Sequence, residues 1–263
     1  MLIDLRDTPA AFAAIKAAVH SGSLTDARIT VSAERILRMK ASLGLHKQKQ
    51  VALEDVPRVV GGRAHRAVAQ VVSERSITLL KDERNTVPLR VPADASILYL
   101  SVLDYPAGWS IGAPSRTLAP ELRKRWPRLT AVELSDRSTA AELDLVQATA
   151  DRYEAIVAAV FVRTAAYSGR MDLAPALTRL LNDLARRTRA ANTPFVAILF
   201  GNPYVATFLP ELPAMVLTYD YYDLAEGSAA RAIAGEAPIG GRLPVALPGL
   251  FPIGHGLVRR RGL

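Results

Sequence analysis

Cysteine is absent from the 263-residue chain, and histidine occurs only four times. Without cysteine there can be no disulfides, thiolate zinc sites, iron–sulfur clusters or cysteine nucleophiles. The histidines do not stand at metal-ligand spacing, and no His-Glu-x-x-His motif occurs. We therefore expect neither a metal nor another cofactor. A cysteine-free chain fits reducing and oxidising surroundings equally well. The sequence therefore leaves two locations open, the cytoplasm on the one hand and the periplasm or the cell exterior on the other.

Long hydrophobic runs are also missing. The longest uninterrupted apolar run is Ala155–Val162, far shorter than the ~20 residues that a helix needs to cross a bilayer. The first residues include acids and no apolar core after a basic start, so we expect neither a membrane segment nor a signal peptide in this chain. Half of the residues are apolar and 22% are charged, which is typical of a globular protein and excludes a disordered chain or a coiled coil.

The net charge is strongly positive, at +8 with a pI of about 10.0. Such a balance can indicate binding to nucleic acid or to an anionic membrane. Here, however, no aromatic side chains interleave with the basic residues in a stacking pattern. The basic residues are scattered over predicted helices and the tail, as Arg123, Lys124, Arg125, Arg186, Arg187, Arg189 and Arg259 to Arg261. We interpret them as solvated faces and expect no nucleic-acid partner.

The N-terminal part of the chain predicts helices without strands. Residues 1–45 contain two amphipathic helices, over Pro9–His20 and Ala27–Leu43, the second capped by Thr25 or Asp26. Residues 46–63 are polar and rich in turn formers, which is typical of a linker. The apolar faces of the two helices need a partner. We expect them to pack on the following domain, to form a homodimer, or to be mobile.

Residues 64–263 alternate between helices and short apolar strands. A helix from about Ala64 to Val72 or Ser76 and an apolar segment, Ile77–Leu80, precede the alternation. The predicted strands are Ile97–Leu103, Ala131–Leu134, Ala155–Val162, Phe195–Phe200, Met215–Tyr219 and Leu243–Leu247. The predicted helices are Leu118–Trp126, one capped by Ser138 that runs to about Tyr153, Pro175–Ala191, one beginning over Tyr204–Phe208, and Leu224–Ala234. This pattern predicts an α/β fold: a mainly parallel sheet of five to six strands sandwiched between helices, preceded by a short helical segment.

Three loops that follow predicted strands hold the candidate ligand-binding residues. In an open parallel sheet, ligands bind outside the carboxyl ends of the strands. Polar side chains that could contact a sugar follow three strands there: Arg163, Tyr167, Arg170, Asn202, Tyr204, Asp220 and Asp223. The alternative is structural, with Gly201 forming a tight turn, Asn202 capping a helix and Pro203 beginning it. We favour the structural interpretation of Gly201–Pro203.

Paired carboxylates are the other chemical feature to consider. Asp220, Asp223 and Glu226 are close in sequence, and glycoside hydrolysis needs two carboxylates. Acids are also favoured in the first turn of a helix by its dipole, and we prefer that explanation. No Gly-x-Ser-x-Gly elbow and no phosphate loop occurs, and Gly108 and Gly112 do not complete a nucleotide-binding fingerprint. His255, between two glycines, is interpreted as a packing and turn element.

Four segments carry a resemblance to a known family. The chain reads VSERSITLLKDERNTVPL over residues 72–89, GEAPIGGRLPVALP over 235–248 and GHGL over 254–257. In this order and spacing they resemble the C-terminal half of glycoside hydrolase family 3. The leading SGSLTDARITVSAERILRMKASLGL, residues 21–45, is similar to the last barrel helices of that family. The loop Gly201-Asn202-Pro203-Tyr204 resembles the β-N-acetylhexosaminidase branch more than the β-glucosidase branch.

The resemblance implies half of a glycosidase. In the family the nucleophile is an Asp in a Ser-Asp-type motif on a TIM barrel. In the hexosaminidase branch the acid/base is a His in a Lys-His-Phe-Pro-Gly-His-Gly-type barrel loop. The chain contains neither barrel motif, and His255 is not preceded by Lys-His-Phe-Pro, so no catalytic residue carries over. The implied partners are a carbohydrate substrate and a catalytic barrel, in cis or in trans, and the alternative is a non-catalytic carbohydrate-binding or barrel-stabilising module.

Overall fold

The computed structural model describes residues 5–103, 114–162 and 171–262. The chain divides into two compact units, Met1–Arg63 and Ala64–Leu263. No described residue before Ile77 is buried. The hydrophobic core therefore belongs to the second unit.

The first unit is helical and its two main helices have side-chain caps. Helix α1, Thr8–His20, begins after Asp7, whose side chain accepts a hydrogen bond from the backbone N–H of Ala10. Helix α2, Asp26–Ser42, begins after Thr25, whose hydroxyl accepts from the N–H of Arg28. Each cap satisfies one of the N–H groups that a helix start leaves without a partner. The segment predicted as a linker holds a short 3-10 turn, Leu53–Asp55, and helix α3, Val56–Val59.

The second unit holds five further helices and six strands among its described residues. The helices are α4, Arg63–Ser76; α5, Leu118–Arg125; α6, Ala140–Thr149; α7, Pro175–Ala191; and α8, Asp223–Ile233. The strands are β1, Thr78–Asp82; β2, Ile97–Leu103; β3, Leu129–Ser135; β4, Ala155–Val162; β5, Phe195–Gly201; and β6, Ala214–Leu217. Short 3-10 helices cover Ala150–Arg152 and Pro203–Phe208. Among the described residues, no helix is long and apolar enough to span a membrane.

The six strands form one sheet in the order β1-β6-β5-β4-β2-β3. All neighbouring pairs are parallel except β1 with β6, which is antiparallel and irregular between Leu79 and Lys81. Strands β2, β4 and β5 are central and nearly every residue in them is buried, as expected for strands that are covered on both faces. The predicted fold class, a mainly parallel α/β sandwich, is confirmed.

Helices cover both faces of the sheet. On one face, Leu177, Leu181 and Leu184 of α7 pack with Val146 of α6 against the sheet. On the other face, residues of α5 and α8 such as Leu122 and Ile233 pack against a second cluster. The amphipathic spacing of α7 produces its buried stripe. The result is a three-layer unit, with helices on both faces of the sheet and loops at the ends of the strands.

Two sequence predictions about elements are wrong, and one segment gains an assignment. Segment Ile77–Leu80, identified from the sequence only as apolar, contributes to the antiparallel edge strand β1. Leu243–Leu247 forms no strand; only a single bridge joins Leu247 to Phe251. Both leucines are nevertheless buried in the core, so their apolar character reflects packing and not strand pairing. Ser138 does not cap α6.

The cap of α6 comes from the next residue. Thr139 and Glu142 form a capping box, in which the Thr139 hydroxyl accepts from the N–H of Glu142 and the Glu142 carboxylate accepts from the N–H of Thr139. The Ser138 hydroxyl instead accepts from the N–H of Ser135 in the preceding turn. A Thr with Glu three residues later is the stronger N-cap pattern.

Candidate functional site

The predicted site falls at one edge of the sheet. Strand β4 ends at Val162 beside Gly201 of β5, and Leu199 of β5 pairs with Leu217 of β6. The loops after these strands therefore begin next to one another. Of the predicted residues, Asn202, Tyr204, Asp220 and Asp223 follow β5 and β6 and are described. Three others lie outside the described residues: Arg163, Tyr167 and Arg170.

The loop after β5 is built for a tight turn. Gly201 has φ +85°, and a Cβ atom there would lie 3.1 Å from the Tyr221 ring, so a side chain would be both strained and crowded. Asn202 Oδ1 accepts a hydrogen bond from the N–H of Tyr204 at 3.0 Å, and Pro203 begins the 3-10 helix. The structural interpretation of Gly201–Pro203 is thus confirmed. Tyr204 is half-buried against the core, and contact of Asn202 or Tyr204 with a sugar stays a prediction.

The loop after β6 folds against the loop after β5. The Thr218 hydroxyl donates to the carbonyl of Asp220 at 2.5 Å, and Asp220 Oδ1 accepts from the N–H of Tyr221 at 2.8 Å. The Tyr221 ring lies against Gly201 and within 4.7 Å of the Tyr222 ring, measured between centroids. These contacts fix the backbone of the loop while the Asp220 side chain stays exposed. Aromatic rings and an exposed carboxylate can both contact a sugar.

Asp223 is engaged by an arginine that the sequence analysis did not single out. Arg116 donates to both carboxylate oxygens of Asp223, at 2.7 and 2.6 Å, in a bidentate pair. The hydrogen bond and charge of Arg116 hold the pKa of Asp223 below its ordinary value. Asp223 is therefore an ionised partner of a cation in this structure. Both side chains are about half exposed, so the pair contributes little to stability.

Glu226 is a buried cap. Only 1% of the residue is exposed, and its carboxylate accepts from the N–H groups of Ser115, Thr117 and Leu118 at 3.0, 2.8 and 2.7 Å. These donors stand at the start of α5, where no local side chain caps the helix. Burial raises the pKa of Glu226, and the three N–H bonds oppose that shift. This geometry favours the structural interpretation of Glu226.

Ser115 connects this cap to the end of β2. Its hydroxyl lies 2.6 Å from the Tyr99 hydroxyl, which donates to it, and 2.6 Å from the Ser101 hydroxyl. Ser115 has φ +65°, an uncommon conformation for a residue other than glycine. Burial raises the pKa of Tyr99, so this phenol stays protonated. The sequence carried no signal for the cluster, because Ser115 and Glu226, which are hydrogen-bonded, are 111 residues apart.

His255 and the Ser135-Asp136 dipeptide are other residues of types that act in catalysis. The His255 ring stacks on Phe251 with 4.3 Å between centroids, and its Nε2 lies 2.8 Å from the carbonyl oxygen of Leu80. These contacts confirm the packing role predicted for His255. Ser135 and Asp136 form a Ser-Asp dipeptide, but Ser135 ends strand β3 of the sheet. In the described ranges, no three His, Asp or Glu side chains are grouped as metal ligands.

The second unit is thus a mainly parallel α/β sandwich whose candidate ligand-binding loops meet at the carboxyl edge of its sheet. The chain is 26% identical over 246 residues to a β-N-acetylglucosaminidase/β-glucosidase from Cellulomonas fimi, which covers 89% of this chain and 41% of that protein. No protein-family model matches it.

Solved structures share the fold. A family 3 β-N-acetylglucosaminidase from Paenibacillus sp. str. FPU-7 matches with a TM-score of 0.62 and 20% identity, over 88% of this chain and 41% of that one. A β-glucosidase from Erythrobacter marinus matches with a TM-score of 0.66 and 20% identity, over 93% of this chain and 42% of that one. The chain therefore spans about two fifths of the length of these relatives, and its resemblance to family 3 glycoside hydrolases is confirmed.

Proposed function

We propose that the chain is the C-terminal domain of a retaining, family 3-like glycoside hydrolase that acts on terminal β-linked sugars, with β-N-acetylhexosaminides as the preferred substrates. The observation that carries this proposal is the alignment of 89% of the chain with the Cellulomonas β-N-acetylglucosaminidase/β-glucosidase. In this proposal the nucleophile and the acid/base belong to a TIM barrel, in cis or in trans, and these 263 residues are inactive alone.

The carboxylates at the sheet edge support the proposal that the chain is inactive alone. Glycosidic catalysis needs one carboxylate free to attack and a second group free to transfer a proton. Glu226 is buried under three N–H donors, and Asp223 is held by Arg116. Asp220 has an exposed carboxylate, which accepts from the N–H of Tyr221. This set supports substrate contact better than bond cleavage.

The proposed contribution of the domain to the site is sugar binding. Asn202, Tyr204, Asp220 and Tyr221 offer hydrogen-bonding groups and aromatic faces at the ends of β5 and β6. Arg163, Tyr167 and Arg170 follow the neighbouring strand β4, and we propose them as further contacts. Aromatic rings with a few placed polar groups are the usual composition of a sugar-sized binding site.

A second candidate function is a non-catalytic module that stabilises a barrel. Helix α4 attaches to α8 through Ser73 and Ser228, whose hydroxyls are 2.9 Å apart, and through an ion pair of Glu74 with Arg231. Its valines point elsewhere: Val68 is 63% exposed and Val72 is 61% exposed. Apolar side chains at this spacing form one face of a helix. Such a face favours a protein partner.

Hydrolysis of a chromogenic β-N-acetylglucosaminide by the purified chain, with the matching β-glucoside as control, tests the first proposal. We expect no turnover from the folded chain and calorimetric binding of N-acetylglucosamine that Tyr204→Phe and Asp220→Asn weaken. Arg123→Gln, an exposed substitution on α5, should leave that binding unchanged. Turnover that survives purification and is lost in Asp220→Asn would overturn the assignment of catalysis to a barrel.

The two candidate functions differ in their response to a barrel supplied in trans. If the chain completes a glycosidase site, mixing it with a family 3 barrel should raise hydrolysis, and Tyr204→Phe should reduce that gain. If it only stabilises the barrel, Val68→Ser with Val72→Ser should remove the gain while Tyr204→Phe has no effect.

A further inference from the structure

A polar pocket lies at the opposite edge of the sheet from the candidate site. Its volume is about 230 Å³. Phe195, the first residue of β5, and Pro213, which directly precedes β6, line it, so it opens at the amino ends of the parallel strands. Three arginines line the same pocket: Arg84, Arg90 and Arg189. It is therefore separate from the loops after β5 and β6.

The surrounding carboxylates are already balanced by other cations. Arg189 contacts Glu83 at 3.3 Å and Glu211 at 3.1 Å. Glu83 also pairs with Lys81 at 2.8 Å. Arg186 pairs with Asp183 and lies 3.9 Å from Glu211. Three cations thus meet three carboxylates in this network, and its net charge is zero.

Arg84 and Arg90 add two positive charges that this network does not neutralise. Arg84 donates to Asn192 Oδ1 at 2.7 Å and to the carbonyl of Arg189 at 2.9 Å, both neutral acceptors. These bonds hold the Arg84 guanidinium in place without cancelling its charge. Within the described ranges, the Arg90 side chain makes no hydrogen bond or ion pair. The pocket therefore has one guanidinium that is held in place and one that has no partner among the described residues.

The end of α7 does not offset this positive charge. A helix C-terminus carries partial negative charge on carbonyls that have no partner in the helix. Here the carbonyl of Arg189 accepts from Arg84, and the carbonyl of Thr188 accepts from the N–H of Thr193. Asn192, in the left-handed conformation with φ +59°, turns the chain into the pocket wall. These two carbonyls are occupied, and the amide of Asn192 and hydroxyl of Thr193 add neutral hydrogen-bonding groups.

We propose that this pocket binds a phosphate-type oxyanion, carried either by free phosphate or by a phosphorylated sugar. The planar guanidinium presents paired N–H donors that match the oxygens of phosphate. Pro194, Phe195 and Pro213 line one side of the pocket as an apolar wall. A pocket of this size holds an oxyanion together with part of a small molecule. The inference does not depend on the proposed glycosidase function.

Calorimetric titration of the full chain with inorganic phosphate, replacing chloride at constant ionic strength, tests the proposal. Arg90→Gln is the deciding variant because its guanidinium makes no bond to the described residues that the fold would lose. We expect it to weaken phosphate binding about tenfold, the effect of losing one charge-assisted contact. Arg123→Gln removes the same charge from exposed α5 and should leave the affinity unchanged.

Arg84→Gln should weaken phosphate binding at least as much as Arg90→Gln does. A second titration compares glucose 6-phosphate with glucose. Tighter binding of glucose 6-phosphate than of inorganic phosphate would assign the pocket to a phosphorylated sugar, and equal binding would assign it to free phosphate. The proposal is overturned if the wild-type chain shows no saturable binding of either anion, or if Arg123→Gln weakens binding as much as Arg90→Gln.

Discussion

A carboxylate from one helix caps the start of another. Glu226 stands in the first turn of α8, yet its oxygens accept from three N–H groups at the beginning of α5. The cap therefore links the segment after residue 113 to the loop after β6. An unsatisfied N–H in this buried position would cost stability, so the carboxylate is a structural requirement of the edge that carries the candidate site.

Glu226→Gln should lower the free energy of unfolding by about 1–3 kcal/mol, because an amide nitrogen cannot accept from the N–H groups that one carboxylate oxygen now binds. Urea unfolding of both proteins measures the difference. Glu34→Gln, on the exposed surface of α2, removes the same charge and should change stability by less than about 0.5 kcal/mol. A loss for Glu226→Gln no larger than for Glu34→Gln would contradict the capping role.

The difference in stability between the wild type and Glu226→Gln should depend on pH. Folding raises the pKa of Glu226 by burial. A carboxyl of this kind contributes full stability below its unfolded pKa and loses that contribution as the pH rises through its folded pKa. The stability of the wild type relative to Glu226→Gln should therefore be greater at about pH 4.5 than at about pH 7. A difference that grows with rising pH would mean that the N–H bonds outweigh burial.

Asn202 separates a capping role from a binding role. Asn202→Ala removes the oxygen that accepts from the N–H of Tyr204 and should cost about 0.5–2 kcal/mol of stability. Asn202→Asp keeps that oxygen and should retain most of the stability. Thermal unfolding and calorimetry with N-acetylglucosamine measure the two effects. If Asn202→Asp keeps both stability and sugar binding, the amide nitrogen has no part in binding.

At the scale of elements, continuous apolar runs were the most reliable signal. The bounds of β2, β4 and α7 follow directly from their residue patterns, because a short continuous apolar run is typical of a strand buried on both faces and the helical period marks a long amphipathic helix. The same signal failed for Leu243–Leu247, where irregular chain is buried by packing. Contacts between distant segments were not predictable at all. The Glu226 cap of α5 and the hydrogen bond between Arg84 and Asn192 each join residues 108 positions apart in the sequence, so they depend on the tertiary structure.

Truncating a side chain should lower the free energy of unfolding strongly in α7 and hardly at all in α4. Leu181→Ala in α7 removes a fully buried side chain and should cost about 2–5 kcal/mol, from lost transfer energy and the cavity left behind. Val72→Ala in α4 should change stability by less than about 0.5 kcal/mol, because 61% of Val72 is exposed. Urea unfolding of the full chain compares them. A large loss for Val72→Ala would mean that the valine face of α4 already has a partner in solution.

At the scale of the whole molecule, the two units differ in what holds them together. The second unit has buried clusters on both faces of a six-stranded sheet. The first unit has capped helices but no buried described residue, and its exposed apolar side chains include Phe12 and Leu37, at 66% and 62%. Short helices are marginal in water without tertiary packing. The stability of the chain should therefore come from the second unit.

A chain reduced to residues 62–263, which keeps α4 whole, should unfold with nearly the same free energy as the full chain. The reason is that every buried described residue lies from Ile77 onward. Urea unfolding compares the two chains, and hydrogen exchange on the full chain gives an independent reading. If residues 5–45 exchange as slowly as β4 and the shortened chain loses several kcal/mol, the helices are packed in solution, on the second unit or in a homodimer. Sedimentation at several concentrations then distinguishes these two, since only a homodimer depends on concentration.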